Sequence, residues 1–380
     1  MKTVLFCWES QLDPTAGGVE RVTQRIMDGL SKRGFNCLFL RHDAGTDRFF
    51  FNGEDVKELG AFLIRRGVDT IVNQSGHSSR LTELLVNCQW QGRYIVCHHN
   101  EPQHLQKLFD SRRAFSEILS PNALLKTRIA WLSRLVAYPI WRAWSNRRIA
   151  KVQKINYSYC DVCVLLSKHF IPLFMQLIER NEVPKVTAIP NPLSFETKSE
   201  DVEGFVKRKE VLVVGRLDEQ EKRISLALQA WALIQDWDRD EWELKVVGDG
   251  PDSAALRQQA VRLGLRRVRF LGRQDPLPHY KSAAILLMTS RVEGWGLTLT
   301  EAMQTGTVPV AFDSYLSLRD IIDDGKTGLI VRNGDVAAFA EAVMRLMSDS
   351  KQRRTIATDA LAACQKYRLE AVLDQWVKVL

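Results

Sequence analysis

The sequence predicts an α/β protein of two doubly wound domains joined by a short linker. Three observations lead there. A chain of 380 residues is too long for one ordinary core and suits two. Short apolar runs alternate with helical patterns through both halves, which means parallel sheets covered on both faces. Between the halves stands a proline-flanked break, Ile189-Pro190-Asn191-Pro192-Leu193, followed by the polar, charged stretch Ser194–Glu210.

Taken in order, strands are expected at Thr3–Cys7, Cys37–Leu40, Thr70–Asn73, Tyr94–Cys97 and Val162–Leu166. In the second half they are expected at Val211–Val214, Leu244–Val247, Val268–Leu271, Ile285–Met288, Val308–Ala311 and Leu329–Val331. Each is a short continuous apolar run, the pattern of a strand buried on both faces. The start, Met1–Glu9, is short, mixed and soon acidic, and reads as a first strand rather than a signal peptide. No apolar run reaches the length of a membrane span. Seven scattered cysteines, an odd number, suit reduced core thiols in a cytoplasmic setting. Cys160 and Cys163 form a lone Cys-x-x-Cys with no second pair, so zinc or redox chemistry is weakly supported.

The formal charge is +8, and its placement says more than its size. Residues 118–160 contain no Asp or Glu but eight basic residues: Lys126, Arg128, Arg134, Arg142, Arg147, Arg148, Lys151 and Lys154. Trp131, Trp141, Trp144 and Tyr138 lie among them, and Leu125, Ile129, Leu132, Val136 and Ile140 recur at helical spacing. Such a segment suits an anionic membrane surface. The plainer reading is a helical pair packed on the first domain, its charges merely solvated. No nucleic-acid reader motif accompanies the charge.

The most informative stretch is Glu293-Gly294-Trp295-Gly296-Leu297-Thr298-Leu299-Thr300-Glu301. It follows an apolar strand and opens a helix. Bare backbone N–H groups there favour an anion, with one carboxylate ahead of it and the other behind. A sugar nucleotide has that order: sugar, diphosphate, ribose. The stretch resembles the Glu-x7-Glu signature of retaining glycosyltransferases of the GT-B fold, in particular family 4. The resemblance covers nearly the whole chain, and it implies two Rossmann-like domains facing each other across a cleft. It divides the chain into an N-terminal acceptor-side domain (1–190), a nucleotide-sugar domain (191–365) and a final helix (366–380) crossing back to the first.

Roles follow from the resemblance residue by residue. Glu293 would bind sugar hydroxyls near the reacting centre. Gly294, Trp295, Gly296 and Leu297 would offer backbone donors, and Glu301 would accept from the ribose. Trp295 stands where phenylalanine is often found. Gly215-Arg216-Leu217 with Lys222 resembles the diphosphate-binding pair, Arg223 competing with Lys222 for that role. Gly17 and Gly18, after the first strand, resemble the family's glycine loop on the cleft floor. Of His98 and His99, both at the end of a strand, His99 is the better match to the histidine that meets the donor; a slip of one residue would present His98 instead. Gly248 lies in a turn beside base and phosphates, and Arg273 in the segment beside the base.

The expected reaction is transfer of a hexose or N-acetylhexosamine from a nucleotide-diphosphate sugar, by default a UDP-sugar, to a saccharide or lipid-linked saccharide. Lipopolysaccharide, capsule or O-antigen synthesis is the expected setting, with no cofactor and no essential metal. Two alternatives stand beside it, a nucleotide-sugar 2-epimerase and a noncatalytic sugar-nucleotide-binding partner subunit. An oxidoreductase is disfavoured, because the first loop has adjacent glycines and not Gly-x-Gly-x-x-Gly.

Overall fold

The computed structural model describes residues 1–13, 17–43, 45–88, 90–103, 125–196, 207–237 and 242–380. Thr15 and Ala16 of the first loop, residues 118–124 and part of the linker therefore lie outside the described residues. Two sheets organise the chain. The first has the order β4-β3-β2-β1-β5-β6-β7-β8. Its strands are β1 (Thr3–Trp8), β2 (Asn36–Asp43), β3 (Arg48–Phe51), β4 (Glu54–Val56), β5 (Thr70–Asn73), β6 (Arg93–His98), β7 (Val162–Leu165) and β8 (Val186–Ala188). The second has the order β11-β10-β9-β12-β13-β14. It contains β9 (Arg208–Val214), β10 (Glu243–Val247), β11 (Val268–Gly272), β12 (Ala283–Met288), β13 (Val308–Asp313) and β14 (Leu329–Arg332).

All expected strands are present, and the second sheet is parallel throughout. Buried runs such as Ala283–Met288 explain why periodicity found them. Three strands were not expected. β3 and β4 form an antiparallel hairpin at the sheet edge, turning at Asn52 and Gly53 with φ of 52° and 86°. Both central residues are left-handed, the geometry Asn-Gly favours in a two-residue hairpin. β8 is three residues long and pairs with β7 at the other edge.

The basic segment is not a helical pair. It forms one helix of 35 residues, Leu125–Tyr159, with Pro139 inside it. Its second half packs on the domain through the buried Ser145, Gln153, Asn156 and Tyr157. Among the described residues none from 125 to 144 is buried.

The two halves touch at several points. One apolar cluster runs through both by way of Leu193, Trp295, Leu299 and Tyr367. The helix Leu369–Val379 lies against the first half: Val372, Leu373 and Trp376 are buried in the cluster around Val4, Phe6 and Ile26. Gly29 on the Gly18–Lys32 helix makes room for it, since a Cβ there would sit 2.5 Å from Leu373 Cδ1. Arg33 pairs with Glu370 and, at 2.7 Å, with Asp374 on the rim of this contact.

Candidate active site

Strand order reverses on either side of β1 and of β9. Loops leaving the carboxyl ends of strands at such points diverge and leave a crevice, where open α/β sheets bind ligands. The glycine loop follows β1, the Gly215–Arg223 loop follows β9, and the glutamate signature follows β12 beside it. The fold thus brings three of the motifs to two facing crevices.

A cavity of about 610 Å³ opens between these loops. Gly17, Gly18 and Arg21 line it from the first half. Gly215, Arg216, Gly248 and Arg273 line it from the second. Three guanidinium groups therefore share one polar cavity, a setting for a multiply charged anion. The glycines have a steric reason. A Cβ on Gly248, at φ 138°, would lie 1.9 Å from the Gly215 carbonyl oxygen, so backbone itself forms this wall.

Lys222 and Glu293 stand together near it, Nζ to Oε1 2.6 Å, both largely buried. Burial disfavours the ammonium, but the facing Glu293 carboxylate outweighs it and raises the Lys222 pKa. Arg223 turns the other way. Its Nε donates to the Thr289 carbonyl at 2.9 Å and its Nη2 to that of Ser290 at 3.0 Å. Arg223 thus pins the loop after β12 to the loop after β9, leaving Lys222 as the cation beside the signature.

Glu301 does not line the cavity. Its side chain is 2% exposed and fully engaged by protein. Oε1 accepts from Arg21 at 2.5 Å and from Ser194 at 2.7 Å, and Oε2 accepts from the Tyr280 hydroxyl at 2.8 Å. Arg21, 280 positions away, so ties the first helix to the signature helix. Leu297 reaches the opposite wall, its Cδ1 3.1 Å from where a Gly18 Cβ would stand. A Cβ on Gly294 would lie 1.7 Å from the His99 carbonyl oxygen, so the cleft is shut at that point. The Trp295 ring faces inward, edge-on to Tyr367 with centroids 5.1 Å apart.

The two histidines diverge as alternation demands. His98 is buried with its ring 5.6 Å from Phe174. His99 is only partly buried, beside Trp8, with Nε2 2.5 Å from Gln74 Oε1. In that arrangement Nε2 donates and Nδ1 remains an acceptor. Burial, reinforced by His77, lowers the His99 pKa to about 4, and burial lowers that of His98 to about 3. Both rings are neutral at pH 7 and face a second cavity of about 550 Å³ lined also by Trp8, Trp141 and Trp144.

Sequence reasoning missed several of these residues. Arg21, Ser194 and Tyr280 come from distant segments, and no spacing announces them. Arg21 alone carried a signal, a cation in the first turn after the paired glycines. Glu9 and His77, 3.3 Å apart beside the second cavity, were also missed. The hydrogen bond from His77 holds the Glu9 carboxyl below its usual range despite burial.

Residues 194–361 match the family profile described as glycosyl transferases group 1. The chain belongs to that family, on a GT-B fold. A glycosyltransferase of Haemophilus influenzae with no assigned activity is 21% identical over 96% of this chain and 97% of its own length. An exopolysaccharide phosphotransferase of Streptomyces coelicolor is 31% identical over 51% of this chain, which spans only a fifth of that relative. Among solved structures, Anabaena HepE in complex with UDP and glucose superposes with a TM-score of 0.67. It covers 100% of this chain and 99% of its own at 18% identity, a likeness of fold.

Proposed function

We propose that this group 1 family member is a retaining glycosyltransferase. It moves a hexose or N-acetylhexosamine from a nucleotide-diphosphate sugar, UDP-sugars foremost, to a hydroxyl of a saccharide or lipid-linked saccharide. The observation that carries the reading is the cavity at the two strand-order reversals, with Arg21, Arg216 and Arg273 around it. UDP in a structure of the same fold supports the choice of nucleotide.

In this reading Arg216, Arg273 and Arg21 surround the diphosphate, and the loops after β9 and β12 bring Lys222 and Glu293 to the sugar. The bond from the anomeric carbon to the diphosphate oxygen breaks. The acceptor oxygen bonds to the same face of that carbon, and its proton passes to the departing phosphate. Fixed cations stabilise the charge that develops on the leaving group. No protein carboxylate acts as a nucleophile, unlike retaining glycosidases. His99, neutral, offers Nδ1 to a donor hydroxyl. Closure of the cleft keeps water from the donor.

A second cavity on the far side of the Gly17–Val19 turn favours transfer over 2-epimerisation, which acts on the donor alone. The setting in this reading is the cytoplasmic face of a membrane, in synthesis of a cell-surface glycan. The test is turnover of UDP-, GDP- and ADP-sugars with saccharide acceptors, with the product anomer read by NMR. Retention, abolished in Glu293→Ala and Lys222→Met, is expected. An inverted product would overturn the mechanism, and a 2-epimerised donor would replace it with the epimerase reading.

A further inference from the structure

The second cavity has no assigned ligand, and it carries the marks of a built site. Two of its polar atoms, His98 Nε2 and Gln153 Oε1, are buried without a protein partner among the described residues. The side chains themselves are 6% and 4% exposed. An unmet buried polar atom is costly, of order ~1–3 kcal/mol, so a ligand bearing hydroxyls would be favoured there. Around these atoms stand Trp8, Trp141 and Trp144, and the apolar face of a sugar ring stacks on an indole by dispersion.

The cavity also continues into something. Trp144 is the last member of a row formed with Ile140, Val136, Leu132, Ile129 and Leu125, spaced three or four residues apart on one helix face. Each is between 51% and 75% exposed. The row runs about 30 Å along the helix. Arg148 belongs to the cavity wall, exposed, with its guanidinium carbon 5.6 Å from the Trp144 ring. Arg142, Arg147 and Lys151 follow on the same segment, which carries no carboxylate of its own. The acidic side chain of the cavity lining is that of Glu101, buried at the end of β6.

We propose that cavity and row form one acceptor site, for a saccharide joined through phosphate to a long apolar lipid. The sugar enters among Trp8, Trp141 and Trp144, where its hydroxyls meet His98 and Gln153. The phosphate meets Arg148, and the lipid lies along the exposed row at a bilayer surface. A neutral glycolipid would leave the cations unused, and a free saccharide would leave the row unused. This inference rests on the glycosyltransferase reading and names its acceptor class.

The test is calorimetry on the full chain with farnesyl-diphosphate-linked N-acetylglucosamine below its micelle concentration. Octyl glucoside, farnesyl diphosphate and free N-acetylglucosamine serve as comparisons, and UDP is titrated in parallel. The linked sugar is expected to bind about tenfold tighter than any comparison ligand. Trp144→Ala and Arg148→Gln, both at exposed positions, should each weaken it about tenfold with UDP affinity unmoved. Octyl glucoside or farnesyl diphosphate binding as well as the linked sugar would overturn the proposal, as would full affinity in both variants or no binding of the linked sugar. Loss of UDP binding in the wild type would instead strike the donor reading on which it rests.

Discussion

The pairing of Arg21 with Glu301 yields a prediction that reports on the closed cleft itself. The contact is 2.5 Å long and links the first half to the second, with Glu301 2% and Arg21 30% exposed. Glu301→Gln removes the charge while preserving shape, and Arg21→Ala removes the cation. A hydrogen bond to a charged group is worth about 1.5–3 kcal/mol. Partial exposure of Arg21 discounts that for solvent screening, and Ser194 and Tyr280 still engage the residue at 301. A coupling of about 1–2 kcal/mol follows. The assay is urea unfolding of wild type, both single variants and the double variant. If the halves close as described, the double variant loses less stability than the two singles added together. Additivity within about 0.3 kcal/mol would mean the contact is absent in solution, and with it the tie between the first helix and the signature.

Three further outcomes are expected. Gly294→Ala puts a methyl group against the His99 carbonyl, so the cleft must part; stability should fall by about 1–3 kcal/mol and sugar transfer by more than UDP binding. His98 and His99 have folded pKa values near 3 and 4, below the ordinary value of 6.5, so the unfolded chain binds more protons between those limits. Stability contributed by the neutral rings is complete above pH 6.5 and is lost as pH falls toward 4, with a slope of at most about 1.4 kcal/mol per pH unit for each histidine. In His99→Gln the urea midpoint should fall less between pH 7 and 5, and an unchanged pH slope would count against burial of that ring. Exchanging Arg142, Arg147, Arg148 and Lys151 for glutamine should abolish co-sedimentation with vesicles rich in phosphatidylglycerol at low salt; sedimentation equal to wild type would remove the membrane from the account.

How much of this was legible depended on whether the information was local. Runs such as Ile285–Met288 and Val308–Ala311 are buried on both faces and announce themselves by apolarity alone. The β3–β4 hairpin also had a local signal, Asn52-Gly53 after three phenylalanines, but polar Glu54 and Asp55 concealed the second strand. β8 offers three half-buried residues, too few for a period. The glycines, Arg216 and Arg273 could be read because backbone geometry and a resemblance place them. Lys222 and Arg223 could not be separated by sequence, since adjacent residues diverge according to a backbone angle, φ 48° at Arg223, that composition does not encode. The partners of Glu301 were equally hidden. Arg21, Ser194 and Tyr280 meet it only after both sheets have formed and packed. The Leu125–Tyr159 helix was legible as amphipathic and basic, but its exposure depends on what the rest of the chain leaves uncovered.

The central claim is that the arginine-lined cavity holds a nucleoside diphosphate, and calorimetry with UDP, GDP and ADP tests it most directly. The account predicts micromolar binding of one nucleotide, UDP foremost, weakened about tenfold or more in Arg216→Ala. Binding of none of the three, or binding untouched by Arg216→Ala, would contradict it.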